Sequence, residues 1–224
     1  MRDLILFDFG GTLDADGERW SIRFHRAYRQ VGGRASFAEF EPAFRRSDKM
    51  LGAIPQIFGV GFDVMVEAQA EILAGLIPDA RTLPMQRAAR LFAAETKETV
   101  ARNRGILVGF KERYRLGIVA NFTGNLSVCL DELELSALFD VVADSGAIGI
   151  EKPDPAIFRW VTARVPPGSA PVWMIGDNFD ADIRPAASLG FNTCWLAPAR
   201  RVEPSPGLAT KRAASLPDVL AFFA

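Results

Sequence analysis

The sequence predicts an α/β fold: a doubly wound parallel sheet with a Rossmann-like core and an inserted α-helical cap domain. Several short apolar runs lack polar alternation, as strands covered on both faces do. Helical patterns separate the later runs, which is the alternation of a parallel sheet. From about Trp20 to about Tyr114 there are helix-like segments and no convincing strand, which marks an insertion after the first strand.

Taken in order, Leu4–Phe7 is the first strand. Ile22–Val31, Phe37–Arg46, Val64–Leu76 and Met85–Arg113 carry helical patterns and form the insertion. Leu116–Ala120 and Val141–Ala143 return to the sheet, with a helix over Leu126–Leu138 between them. A helix over Ala156–Val165 leads to a strand at Val172–Ile175, and one over Ile183–Leu189 leads to a strand at Thr193–Leu196. Arg201–Gly207, with two prolines and a glycine, is expected as a surface loop. The chain closes on a short helix with Ser215 as N-cap, Pro217 in the first turn and Asp218 near its positive end. The expected domains are a discontinuous core, residues 1–16 and 88–224, and a helical cap, residues 17–87.

Composition narrows the function. The chain has 224 residues, 49% hydrophobic and 24% charged, within ordinary globular usage. Lys+Arg 26 against Asp+Glu 27 leaves a net charge of −1, so no global field attracts nucleic acid or an anionic membrane. No run approaches the roughly 18 apolar residues of a membrane span. The apolar run after Met1-Arg2-Asp3 is too short for a signal-peptide core. Cys129 and Cys194 are too far apart for a cysteine metal motif and are expected as buried thiols, which points to the cytoplasm. No feature sets an oligomeric state.

The chemistry gathers at strand ends. The first strand runs into Asp8-Phe9-Gly10-Gly11-Thr12, placing a carboxylate where open α/β sheets bind ligands. The glycines let the backbone approach a ligand closely, and Gly10 is a candidate for positive φ. The fourth strand runs into Gly176-Asp177-Asn178-Phe179-Asp180-Ala181-Asp182. Three aspartates so close would repel without a hard, oxygen-seeking cation; Asp177 is the better ligand, and a helix-capping role suits Asp180 or Asp182. Lys152, in Glu151-Lys152-Pro153, stands out in a chain with 5 Lys and 21 Arg. Its compact ammonium suits a point contact to a carboxylate or phosphate.

In order and spacing these segments resemble the haloacid dehalogenase-like hydrolases, mostly phosphohydrolases. That family's Asp-x-Asp-x-Thr/Val corresponds to Asp8 through Thr12. Its Ser/Thr at a strand end corresponds to Ala120, its Lys-Pro to Lys152-Pro153, and its Gly-Asp-x-x-x-x-Asp to Gly176 through Asp182. The resemblance implies Asp8 as nucleophile with Lys152 orienting it. It implies Mg²⁺ held by Asp8, the Gly10 carbonyl and Asp177, a phosphate bound by Gly11, Asn121 and Lys152, and Thr12 and Asp182 in support. The substrate is then a small phosphorylated or other anionic molecule.

Two departures stand out. Gly10 replaces the family's acid/base Asp, and Ala120 replaces the hydroxyl that bonds the transferring phosphoryl group. A positioned acid–base supplies about 10²–10⁴-fold. Three readings follow. One is a Mg²⁺-dependent hydrolase whose substrate has an undemanding leaving group, or which recruits another acid. Asp14, Asp16 and His25 are nearby titratable groups, with turn roles favoured for the aspartates and packing for the histidine. Another is a phosphonate or other carbon–heteroatom hydrolase, with Lys49 as the amine of a Schiff base. The last is a binding or regulatory module on the same fold. Asp16-Gly17 also resembles the family's hairpin flap.

Overall fold

The structure is a computed structural model describing residues 2–165 and 172–223. Strand β1 (Leu4–Phe7) runs into an irregular helical turn, Phe9–Leu13. Four helices follow: α1 (Trp20–Gln30), α2 (Phe37–Gly52), α3 (Phe62–Leu76) and α4 (Met85–Arg113). Next come β2 (Arg115–Ala120), α5 (Leu126–Glu132), β3 (Val141–Asp144), α6 (Ser145–Ile148) and α7 (Ala156–Arg164). The chain closes with β4 (Trp173–Gly176), α8 (Arg184–Ser188), β5 (Asn192–Leu196), β6 (Lys211–Ala213) and α9 (Leu216–Leu220).

The sheet order is β3-β2-β1-β4-β5-β6, and every neighbouring pair is parallel. The chain winds outward from β1 to β3, then returns to β4 and winds the other way. The strand order therefore reverses between β1 and β4, where open α/β sheets form their ligand crevice. Register pairs Phe7 with Ile175, so the residues that follow, Asp8 and the Gly176-Asp177 pair, leave the sheet side by side. All four β1 residues are fully buried, as the unbroken apolar run requires.

The five expected strands lie in place, with no end moved by more than one residue. β6 was not expected. Its Lys-Arg-Ala sequence lacks an apolar run, because an edge strand needs little burial. The expected helix over Leu126–Leu138 stops at Glu132, where Glu134 turns to φ 56° and a separate turn, Ser136–Leu138, follows. Conversely, α2 runs past Arg46 to Gly52. Its buried stripe of Phe40, Phe44, Ser47 and Leu51 keeps helical spacing through a polar stretch. Its start is fixed by a capping box in which Ser36 and Glu39 satisfy each other's backbone N–H. Asp16-Gly17 makes a turn, with Gly17 N–H donating to Gly11 O at 2.9 Å, but no paired strands form a flap there. The closing helix is as expected, with Ser215 Oγ accepting from Asp218 N–H.

Helix α4 is unbroken over 29 residues, a length of about 44 Å. Near its start Phe92 packs edge-on against Trp20 at 5.1 Å; near its end Phe110 meets Phe7 of β1 at 6.1 Å. The position expected to divide cap from core, 87/88, lies inside this helix. One apolar cluster runs through Phe24, Phe40 and Met65 of the inserted helices and Phe7, Ile118 and Leu196 of the sheet. Cys129 and Cys194 are both buried and free, and burial pushes each thiol up to about 12. No helix among the described residues is long and apolar enough to cross a membrane.

Candidate active site

Asp8 follows β1 directly, and its N–H donates to Ile175 O at 2.9 Å, locking the ends of β1 and β4 together. Thr12 Oγ1 donates to Asp8 Oδ2 at 3.2 Å and accepts from Asp177 N–H at 3.1 Å. One hydroxyl thus bridges both strand ends. The intervening turn needs Gly11, which has φ 96°, and a Cβ there would lie 2.8 Å from Asp177 Cγ. Gly10 is different. Its φ of −77° and ψ of 110° are open to any residue, so the positive φ expected there belongs to its neighbour.

Lys152 comes from the loop between α6 and α7 and is 4% exposed. Its Nζ donates to Asp8 Oδ1 at 2.6 Å and to Asp182 Oδ1 at 2.7 Å. Asp182 Oδ2 also accepts from Asn178 N–H at 2.9 Å. Burial alone would pull the Lys152 ammonium down, but Asp182 and Asp8 outweigh it and hold the group above its usual range. Asn121, expected as a phosphate donor, is committed first to this lysine. Its Oδ1 accepts from Lys152 N–H at 2.7 Å, and its Nδ2 donates to Lys152 O at 2.8 Å. One amide hydrogen remains for an anion.

Asp8, Asp177 and Asp182 are all buried, with carboxylate oxygens within 4.8 Å of one another. Burial, then Asp8 and Asp182, push Asp177 well above the ordinary carboxylate range. Asp182 is also raised, by burial, with Lys152 opposing. Asp8 and Asp182 share the lysine, whereas no described side chain pairs with the Asp177 carboxylate. Three carboxylates against one ammonium make a donor set of hard oxygens short of positive charge, which fits a divalent cation such as Mg²⁺.

The space beside Gly10 is filled by Trp20, whose Nε1 would lie 3.1 Å from a Cβ at position 10. That indole N–H donates to Asp14 Oδ2 at 2.6 Å. Asp14 is fully buried and also accepts from Gly11 N–H at 2.6 Å and Arg23 Nη1 at 2.8 Å. It therefore holds the turn after Asp8, in keeping with the turn role. Asp16 pairs with Arg102 at 2.8 Å and accepts from Leu216 N–H, again structurally. His25 Nε2 lies 2.9 Å from Ala35 O, and its ring packs against Phe40, outside the cavity.

A cavity of about 420 Å³ opens over these residues. The loops after β1, β2 and β4 contribute Asp8, Gly10, Asn121, Asp177 and Asp182 to its wall, and the α6–α7 loop contributes Lys152. The inserted helices contribute Trp20, Asp48, Lys49, Met65 and Gln69. The sequence did not single out Trp20, Asp48 or Gln69. The one available signal was the buried stripe of α2, which continues past Arg46 and carries Asp48 to the cavity edge.

A family model for haloacid dehalogenase-like hydrolases matches residues 2–190. The chain belongs to that family. Among curated relatives of this hydrolase, pyrimidine 5'-nucleotidase YjjG of Escherichia coli is 28% identical over 116 residues, 51% of this chain and 52% of that protein. Phosphoserine phosphatase of Thermus thermophilus is 28% identical over 154 residues, 68% and 57% of the two chains. The matched stretches thus span only about half of either relative's length. Solved structures share the fold end to end. The HAD-hydrolase YfnB of Bacillus subtilis, described as bound to magnesium, superposes with a TM-score of 0.60 at 17% identity, covering 99% and 98% of the chains. L-2-haloacid dehalogenase of Xanthobacter autotrophicus, with chloropropionic acid covalently bound, gives 0.62 at 16%, covering 100% and 98%.

Proposed function

We propose that this haloacid dehalogenase-like hydrolase is a Mg²⁺-dependent phosphomonoesterase acting through phosphorylation of Asp8, with the helical insertion, residues 17–87, as its cap. The carrying observation is the Asp8–Lys152–Asp182 chain of contacts beside the unpaired Asp177 carboxylate. A third carboxylate would only repel an anionic substrate unless a cation neutralised it, and a phosphoryl group is the substrate that uses such a cation. The phosphatase and nucleotidase among the relatives support the same reading.

Asp8, Asp177 and the Gly10 carbonyl would hold the ion, which when bound supplies charge neutralisation for the phosphoryl oxygens. Lys152 and Thr12 fix the Asp8 carboxylate for in-line attack. The free Asn121 hydrogen is available to the phosphoryl oxygens, whereas the Gly11 N–H, expected as a phosphate donor, is already given to Asp14. Gly10 gives the leaving oxygen no proton. The test is phosphate release with Mg²⁺ across aryl, acyl, sugar and alkyl phosphates, with mass spectrometry for phosphate on Asp8. Asp8→Asn should abolish both signals. Absence of turnover on every member by the folded, Mg²⁺-loaded protein would refute the reading.

A second reading rests on Lys49, which lies on the cavity wall. An amine there suits a Schiff base with a carbonyl-bearing phosphonate. Borohydride trapping on Lys49 with such a substrate would favour it.

A further inference from the structure

Among the described residues, the inserted helices contribute one carboxyl to the cavity wall, that of Asp48 on α2. We propose that Asp48 protonates the leaving oxygen and then activates the hydrolytic water, performing from the cap the task that Gly10 cannot. The proposal rests on the phosphomonoesterase reading above.

Position comes first. In-line displacement puts the leaving oxygen on the side of phosphorus opposite Asp8. With Asp8 at the end of β1, that side faces the inserted helices. A proton donor for the leaving oxygen is therefore well placed on α2, and the near side is taken by Trp20 against Gly10.

Asp48 is also held. Gln69 of α3, fully buried, donates from Nε2 to Asp48 Oδ1. Gln69 Oε1 is buried without a partner. An amide beside a carboxyl serves both of its protonation states: N–H bonds the ionised form, and C=O, after a half-turn of the amide, accepts from the protonated form. The orphaned Oε1 is the acceptor such a protonated Asp48 would use.

The surroundings favour exchange of a proton. Asp48 is open to the cavity, but the protein around it pushes its carboxyl up to about 7, with the Gln69 N–H only partly opposing. Among the described residues, no cation is paired with it. Arg19, before α1, is engaged with Glu41 at 3.0 Å, Arg45 of α2 pairs with the same Glu41, and Arg23 of α1 is committed to Asp14. Lys49 is its neighbour on α2, and α3 presents only the uncharged Met65 and Gln69 to this wall. Glu151, Lys152, Asp8, Asp177 and Asp182 line the same cavity. A group that gives and takes a proton works best when both forms are populated near the working pH.

The steps balance. As the bond from Asp8 Oδ to phosphorus forms and the ester P–O bond breaks, the Asp48 proton passes to the leaving oxygen, and an alcohol departs. Water oxygen then bonds to phosphorus, the bond to Asp8 Oδ breaks, and the water proton returns to Asp48. Inorganic phosphate leaves with both carboxyls restored.

The experiment compares wild type, Asp48→Asn, Asp48→Glu and the double variant Gly10→Asp/Asp48→Asn, each with Mg²⁺, on ethyl phosphate and 4-nitrophenyl phosphate. Asp48→Asn should lose ~10²–10³-fold on ethyl phosphate, while single-turnover phosphorylation by the nitrophenyl ester changes by less than about tenfold. With the nitrophenyl ester, phosphate should accumulate on Asp8 in Asp48→Asn, because phosphorylation outpaces hydrolysis. The fall in ethyl phosphate turnover as pH rises through about 7 should vanish in Asp48→Asn. Asp48→Glu should retain part of the rate, and the double variant should recover part of it. Equal losses in single-turnover phosphorylation by the two esters, or no loss with either, with active wild type would overturn the assignment of Asp48 and leave the phosphomonoesterase reading intact. Inactive wild type on both esters and on the wider panel would remove the phosphomonoesterase reading and this assignment with it.

Discussion

Gly10 and Gly11 are adjacent and identical, yet the structure asks different things of them. Gly11 needs its positive φ and its bare Cα against Asp177; Gly10 needs neither. Gly11→Ala should therefore cost at least about 1–2 kcal/mol from the left-handed backbone alone, with the clash added. Thermal melts should show a lowered Tm and weaker Mg²⁺ stabilisation. Gly10→Ala should leave Tm nearly unchanged, since Trp20 need shift only slightly. Asp177→Asn should raise the Tm of the metal-free protein by removing a repelling charge, and erase the upward shift on adding Mg²⁺. A metal-free Tm that fell, with the Mg²⁺ shift intact, would remove Asp177 from the ion site. Asp8, Thr12, Lys152, Asp177 and Asp182, which the structure brings together, were legible through the order and spacing of the segments that resemble the family; Asp8 or Lys152 alone reads at least as well as a turn or solvated residue. Trp20 and Asp48 were not. An indole beside a cavity and one in a core look alike in sequence, and Asp48 sits in a polar run, Arg45 to Lys49, that looks solvated.

The pairing of α2 with α3 through Asp48 and Gln69 carries a pH signature. The native state holds the Asp48 proton up to about 7, against 3.8 for an unperturbed carboxyl. In that window the folded chain binds more protons than the unfolded one, so this group's effect lowers stability as pH rises from about 4 to about 7. Asp48→Asn should flatten that part of the profile. Urea midpoints at pH 5 and pH 8 would show it, and an unchanged difference between them would contradict the raised carboxyl. Among the elements, β1 and the full span of α4 could be set from apolar pattern alone. The extent of α2 and the existence of β6 could not. The first is masked by charged residues on the helix's outer face, the second by an edge position that asks for little apolar sequence.

For the whole molecule, the continuous apolar cluster and the single span of α4 tie the insertion to the sheet. Heating should unfold both in one transition, with calorimetric and van't Hoff enthalpies agreeing. Two resolved transitions in the scanning calorimeter would show that the inserted helices melt apart from the sheet. The sequence located the insertion by its missing strands. It could not place the boundary between insertion and core, because helical periodicity runs through 87/88 without a change.

Trp20 and Trp195 give the protein two optical windows on its own chemistry. The indole of one donates to Asp14 beside the Asp8 loop; the indole of the other donates to Asp177 O at 2.9 Å. Trp160 stacks under Arg164, and Trp173 packs on Phe223, both apart from the cavity wall. Ions or anions arriving between the two carboxylate loops change the field at the first pair and leave the second pair dark to the event. Emission from single-tryptophan variants would then follow occupancy in real time, with no label attached and no product to wait for.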